Sequence, residues 1–212
     1  MLRLVLTCLL LLVGLAGAQA PLLSGEDLTL VHDDVQRQYY LYAPPGLEGN
    51  APLVIALHGR GGTGPGMAML TGFDAVAEQH GFIVAYPSGI EQQWNYVEGI
   101  EGYTNETSDI AFLRALVADI AARHAVDARR VYVAGFSNGG FMAQRLACAA
   151  NDVFAAYASV GAAGFGGQPS VCGELGPLPL LFIHGSADAV VPFQGMSQPT
   201  PRGPVTVLAS VD

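Results

Sequence analysis

The apolar run Val131-Tyr132-Val133-Ala134 passes directly into Gly135-Phe136-Ser137-Asn138-Gly139-Gly140. It then continues into a stretch with Phe141, Met142 and Leu146 at helical spacing. A buried strand that becomes a helix through so short a turn leaves few arrangements open. The residue at the bend takes a strained backbone conformation, and glycines two before and two after it keep strand and helix from colliding. The segment therefore predicts a strand, a bend at Ser137 and a helix from about Asn138 to Ala149. Such a bend lifts the Ser137 hydroxyl clear of the sheet, above the positive end of the helix.

The rest of the chain repeats the alternation. Leu53 to Leu57, Phe82 to Tyr86, Ala156 to Val160 and Leu180 to Ile183 are short continuous apolar runs, the pattern of strands covered on both faces. Met67, Leu70, Phe73, Val76 and Ala77 fall at the spacing of one helix. Ile110, Leu113, Leu116, Val117 and Ile120 fall at that of another, capped by Ser108 or Asp109. Leu28 to His32 and Arg37 to Tyr42 read as a hairpin turning at Asp33-Asp34. Ser88 to Thr107 reads as a long polar loop containing Trp94, Tyr96 and Tyr103. The expected fold is α/β, a mostly parallel sheet with helices on both faces. In such sheets ligands sit at the carboxyl ends of the strands.

Residues 1–20 read as an export signal: Arg3, the apolar Leu4 to Val13, and small residues from Ala16 to Ala20 with cleavage near 18–20. That apolar run is short for a bilayer span. Residues 21–212 contain no repeat or linker and read as one domain. Cys8 leaves with the signal; Cys148 and Cys172 remain, an even pair in an oxidising compartment, which predicts a single disulfide, with two buried thiols as the alternative. A hydrophobic fraction of 51% against 13% charged excludes a disordered chain. The formal charge of −9, with no lysine present, argues against nucleic acid or an anionic membrane as partner and suits an uncharged substrate. No metal-ligand cluster is visible, no cofactor is implied, and no motif fixes an oligomeric state.

Gly135-x-Ser137-x-Gly139 in this context makes Ser137 the candidate nucleophile. An oxyanion needs two converging backbone N–H groups. Asn138 is the expected source of one. The loop His58-Gly59-Arg60-Gly61-Gly62 supplies the other, with Arg60 the first choice and Gly61 the second. His58 is expected to hold that loop in place rather than to act as a base. Asp188, a few residues past the strand Leu180 to Ile183, is the candidate acid that orients a histidine. Asp74, Asp109, Asp119, Asp127 and Asp152 read mostly as caps or solvated charges. The expected chain order is serine, acid, histidine, yet no histidine follows Asp188. The last residues, Thr206 to Asp212, stop inside an apolar pattern. The expectation is a domain whose C-terminal part, with the histidine loop and a closing helix, is missing, leaving a sheet edge and a core face uncovered.

Several segments together resemble the secreted feruloyl esterases and polyhydroxybutyrate depolymerase-like esterases of the α/β-hydrolase superfamily. These are Leu57-His58-Gly59, Tyr86-Pro87-Ser88-Gly89, Trp94-Asn95, Asp109 to Leu113, Val131 to Gly140, and Ile183 to Asp188 with Val191-Pro192. The resemblance implies a secreted serine ester hydrolase acting through an acyl-enzyme, with Ser137 as nucleophile, Asp188 as acid and Cys148 paired with Cys172. Its substrates would be hydroxycinnamoyl or acetyl esters of plant polysaccharide, or short polyesters. Trp94 and Tyr96, with Tyr103, are then candidates for an aromatic substrate platform, the alternative being that they pack the loop onto the sheet. The chain departs from the family in lacking the histidine segment and in carrying Tyr96-Val97-Glu98 where many members have cysteines. Two other readings are a secreted serine peptidase of the same fold and a non-catalytic binding fragment.

Overall fold

The computed structural model describes residues 25–96, 108–162, 164–165, 177–200 and 203–209. The chain opens with a hairpin, β1 (Glu26–His32) and β2 (Val35–Tyr42). His32 pairs with Val35, so the turn has two residues, Asp33 and Asp34, at φ 49° and 60°. Two left-handed residues match the right-handed twist of the flanking strands. There follow β3 (Ala51–Leu57), α1 (Gly64–Thr71), α2 (Phe73–His80), β4 (Ile83–Pro87), α3 (Asp109–Arg123), β5 (Val126–Phe136), α4 (Asn138–Ala149), β6 (Ala156–Val160) and β8 (Leu180–Ile183). The seven-stranded sheet has the order β1-β2-β4-β3-β5-β6-β8. Its first two pairings are antiparallel, and those from β4 to β8 are parallel. The expected α/β architecture is present.

Helices lie on both faces. Phe112, Leu113, Leu116 and Ile120 of α3 and Met142, Ala143 and Leu146 of α4 pack with the inward residues of β3 and β5 in the main core. On the opposite face Met67, Ala68 and Ala77 of α1 and α2 meet Ala56, Val84 and Tyr86. The single helix expected through Met67 and Ala77 is two. Gly72, at φ 60°, ends α1 and begins α2, and the break turns Leu70 and Val76 outward, 67% and 41% exposed. Beyond α2 this face has no helical cover among the described residues. An apolar groove of about 700 Å³ runs over mid-strand positions including Tyr132, Ala134, Ala158 and Leu180. Leu181 and Ile183 on the edge strand β8 are 57% and 53% exposed. Among the described residues no strand pairs with the outer edge of β8.

The C-terminal apolar pattern forms part of a separate small sheet in the order β7-β10-β9, from β7 (Gly164–Phe165), β9 (Met196–Thr200) and β10 (Gly203–Ala209). No sequence signal used above predicts it. Cys148 lies on α4, whereas Cys172, Tyr103 and the export signal fall outside the described residues. No helix among the described residues is long and apolar enough to cross a membrane.

One polar contact inside the core corrects the sequence reading. Asp109 is 1% exposed at the start of α3, not a solvated cap. It accepts a 2.7 Å bond from Arg37 Nη2 of β2 and a 2.7 Å bond from the Asn95 N–H. Arg37, 2% exposed, also lies 3.7 Å above the Phe112 ring. The pair ties a strand, a helix terminus and the Trp94-Asn95 loop to one point. Removing one member of a buried pair leaves an uncompensated charge, at a cost of about 3–5 kcal/mol. Asp109→Asn should therefore unfold at markedly lower urea, followed by the emission of Trp94. Asp109→Leu combined with Arg37→Met should recover much of the loss. A midpoint for Asp109→Asn equal to that of the unaltered chain would contradict this account.

Candidate active site

The strand order places three loops in a row. β3 ends at Leu57 beside Gly135, β5 ends at Phe136 beside Val160, and Val160 pairs with Ile183 at the end of β8. The His58 loop, Ser137, Gly161 and the His184–Asp188 loop thus lie side by side at the carboxyl ends of parallel strands.

Ser137 has φ 52° and ψ −115° and caps α4. The region is open to few residues with a side chain. The flanking glycines explain how it is reached. A Cβ on Gly135 would overlap the Gly139 carbonyl. One on Gly139 would stand 2.5 Å from the Leu57 oxygen and 2.6 Å from that of His58. Both obstacles are backbone and cannot swing away. The Ser137 N–H donates to Val160 O at 2.8 Å, and its own carbonyl accepts from Phe141 N at 3.0 Å. The half-buried side chain therefore sits where β5, β6 and α4 converge.

Asn138 follows as the first residue of α4, 5% exposed. Its backbone N–H lies in the first helical turn, where no carbonyl within the helix can accept it. Its side chain has a separate task. Oδ1 accepts the Trp94 N–H at 2.6 Å, and Nδ2 donates to the Trp94 carbonyl at 3.3 Å. The Trp94 indole N–H in turn donates 2.9 Å to His58 O. Trp94 is 1% exposed, and both its backbone and its indole are engaged in locking the loop. It packs the loop onto the sheet and offers no open face to a ligand, in contrast to the platform role considered from sequence. Tyr96 is half-buried and stacks on Phe141, with centroids 4.9 Å apart. The side-chain task of Asn138 was not foreseen; nothing in the motif distinguishes it from a spacer.

His58 is buried and fully committed. Gly89 N–H donates to Nε2 at 2.9 Å, which makes Nε2 an acceptor. The proton therefore resides on Nδ1, which donates 2.7 Å to Gly59 O. Burial pushes its pKa below the ordinary value, against opposing effects of the Gly59 carbonyl and Asp109. It anchors the loop as a neutral ring. Within that loop the Gly61 N–H donates to Gln92 O at 2.7 Å. The alternative oxyanion donor is already spent on the neighbouring loop. Arg60 remains the candidate.

Asp188 follows β8. Its Oδ1 accepts from Val190 N and Val191 N, each at 2.9 Å. The Val191 and Val190 amides, with a smaller contribution from His184, hold its pKa below the usual carboxylate value. Oδ2 lies 4.0 Å from where a Cβ of Gly161 would stand. One oxygen fixes the carboxylate, and the other points toward the row of strand ends. His184 is 3.7 Å from that oxygen, but its Nε2 is 2.7 Å from Val191 O and its side chain is 1% exposed. His32, His80 and His124 sit at the end of β1, the end of α2 and the C-cap of α3. None of the five histidines is hydrogen-bonded to Ser137 among the described residues.

Residues 37–191 match the family model described as esterase PHB depolymerase. Among curated relatives, feruloyl esterase B of Neurospora crassa is 35% identical over 62% of this chain and 47% of its own length. Poly(3-hydroxyalkanoate) depolymerase C of Paucimonas lemoignei is 34% identical over 64% of this chain and 32% of its own. The chain spans about half the length of the first curated relatives it matches. Among solved structures, an acetyl xylan esterase from Aspergillus awamori superposes with a TM-score of 0.63 at 22% identity, over 78% of this chain and 74% of that one. At that identity the likeness shows the fold.

Two expectations follow from the geometry. Gly139→Ala forces a methyl group against fixed carbonyls. It should cost several kcal/mol, about 2 or more, in urea unfolding; an unchanged midpoint would mean that the close approach is not real. His58 has a folded pKa below its unfolded value of 6.5. Its contribution to stability is therefore complete above that value and is lost as pH falls from 6.5 to the lowered folded value. The melting temperature should drop over that window more steeply than in His58→Gln. Parallel curves for the two proteins would show that His58 is not buried neutral.

Proposed function

The chain belongs to the esterase PHB depolymerase family, and from that premise we propose that it is a serine carboxylic-ester hydrolase working through an acyl-enzyme at Ser137. The observation that carries the reading is the strained bend: a serine at φ 52° on the head of a helix, with glycine backbone packed on both sides. In this reading Ser137 Oγ attacks the ester carbonyl. The Asn138 and Arg60 amides hold the negative charge that develops on its oxygen, a stabilisation worth about 3–4 kcal/mol per donor in related chemistry. Asp188 orients an imidazole through Oδ2 while Oδ1 is held by backbone.

The substrates proposed are uncharged carboxylic esters, feruloyl or acetyl esters of polysaccharide or short hydroxyalkanoate chains; the named relatives support that class. Tyr96 is the remaining aromatic candidate for contact with substrate. Export under the N-terminal signal and a Cys148–Cys172 disulfide belong to the same proposal.

Among the described residues no histidine is bonded to Ser137, and a serine without a base keeps only the rate enhancement of the oxyanion hole and of binding. The 212-residue protein should therefore hydrolyse p-nitrophenyl acetate only slightly above the solvent rate. A fluorophosphonate probe should label it slowly, at Ser137 alone, and Ser137→Ala should abolish both signals. Labelling that survives Ser137→Ala would end the esterase reading. Fast turnover that depends on Ser137 would instead mean that a base such as His184 is in play.

A further inference from the structure

Phe136 stands between Gly135 and Ser137 on β5, an interior strand, yet its side chain is 42% exposed. Its ring is held by its two long edges. A Cβ on Gly59 would lie 3.1 Å from Cδ1 and 3.5 Å from Cε1, and one on Gly161 would lie 3.3 Å from Cε2 and 3.7 Å from Cδ2. The first glycine belongs to the loop that carries Arg60. The second follows β6, and its Cβ position is 4.0 Å from Asp188 Oδ2. The ring therefore bridges the two halves of the candidate machinery. Both neighbours lack side chains, and any residue with a Cβ at either place would press on it.

Exposed aromatic surface is unfavourable in water. Here it is wedged in one orientation beside the proposed nucleophile, so a ligand group that covers it gains contact with little ordering of the protein. Polar alternatives are absent from the ring itself, so the group that covers it is apolar.

We infer that Phe136 is a specificity-determining residue: its open surface receives the apolar acyl chain of an ester whose carbonyl is held at Ser137. The chemistry rests on the esterase reading, but the contact does not. With the ring in place, the site takes a cinnamoyl or short aliphatic acyl group in preference to acetyl. With the ring removed, that preference collapses toward the acetyl level.

The test is binding of methyl cinnamate to the full chain carrying Ser137→Ala, which removes turnover, followed by saturation-transfer NMR and calorimetry. Adding Phe136→Ala should weaken binding roughly tenfold, the discrimination typical of a lost apolar contact in a pocket. Phe136→Leu should keep most of the affinity, and Trp94 emission should be unchanged in both. Equal affinity with and without the ring, or no binding by the Ser137→Ala chain, would overturn the proposal. So would a loss accompanied by shifted Trp94 emission in both variants, which would make the ring a strut. Fluorophosphonate labelling of the unaltered chain reports separately on the esterase reading: if labelling fails while Phe136-dependent binding persists, the chemistry falls and the contact stands.

Discussion

The backbone of Ser137 is the constraint around which the rest is arranged. A non-glycine residue at φ 52° and ψ −115° carries a cost of about 1–3 kcal/mol that must be held in place by its surroundings. Here the surroundings are main chain: the Gly139 carbonyl behind Gly135, the Leu57 and His58 carbonyls behind Gly139, and Val160 O accepting from Ser137 N. The strain persists only while β3, β5, β6 and α4 are all seated. A five-residue motif with two glycines thereby holds four elements in one arrangement.

The hydrophobic core alone would not position the loops at the strand ends. A polar chain does so, running from Arg37 on β2 through Asp109 to Asn95, from Trp94 to the Asn138 side chain, and from the Trp94 indole to His58. All but the part-buried Asn95 link are buried, so breaking one of those strands its partner without water. The His58 loop is thus tied to the helix that bears Asn138 by way of the Trp94 loop. The Asn138 side chain orders the neighbouring loop through both polar groups of Trp94's backbone.

Much of this was legible in the sequence, for physical reasons that differ by element. Strand β3 was readable because burial on both faces leaves no polar residue within Leu53 to Leu57; Leu180 to Ile183 shows the same apolar run although Leu181 and Ile183 are exposed at the sheet edge. The bend at Ser137 was readable because its glycines answer to steric limits that no other residue meets. The Arg37–Asp109 pair could have been found from parity alone: Arg37 shares the inward face of β2 with Tyr39 and Leu41, so a buried countercharge was required. The helix break at Gly72 had its signal too, a glycine within an otherwise periodic stretch. The capture of the Gly61 amide by Gln92 and the burial of Trp94 had none. Both depend on how a long loop returns to the sheet, a distance no local pattern encodes.

Asp188, the proposed acid, is held in place independently of any histidine. Asp188 is oriented by the amides of Val190 and Val191 within its own turn, so its carboxylate needs no distant partner to hold its direction. His184 is close to it, but the bond to Val191 O turns the imidazole into part of the same turn and keeps it buried. A histidine that must accept a proton from Ser137 and return it to a leaving group needs a free nitrogen and access to the hydroxyl. His184 spends its Nε2 on structure, as His58 spends both nitrogens. In the loops that frame the serine, His58 is a hydrogen-bonding spacer with both nitrogens engaged, and His184 is bonded within its own turn.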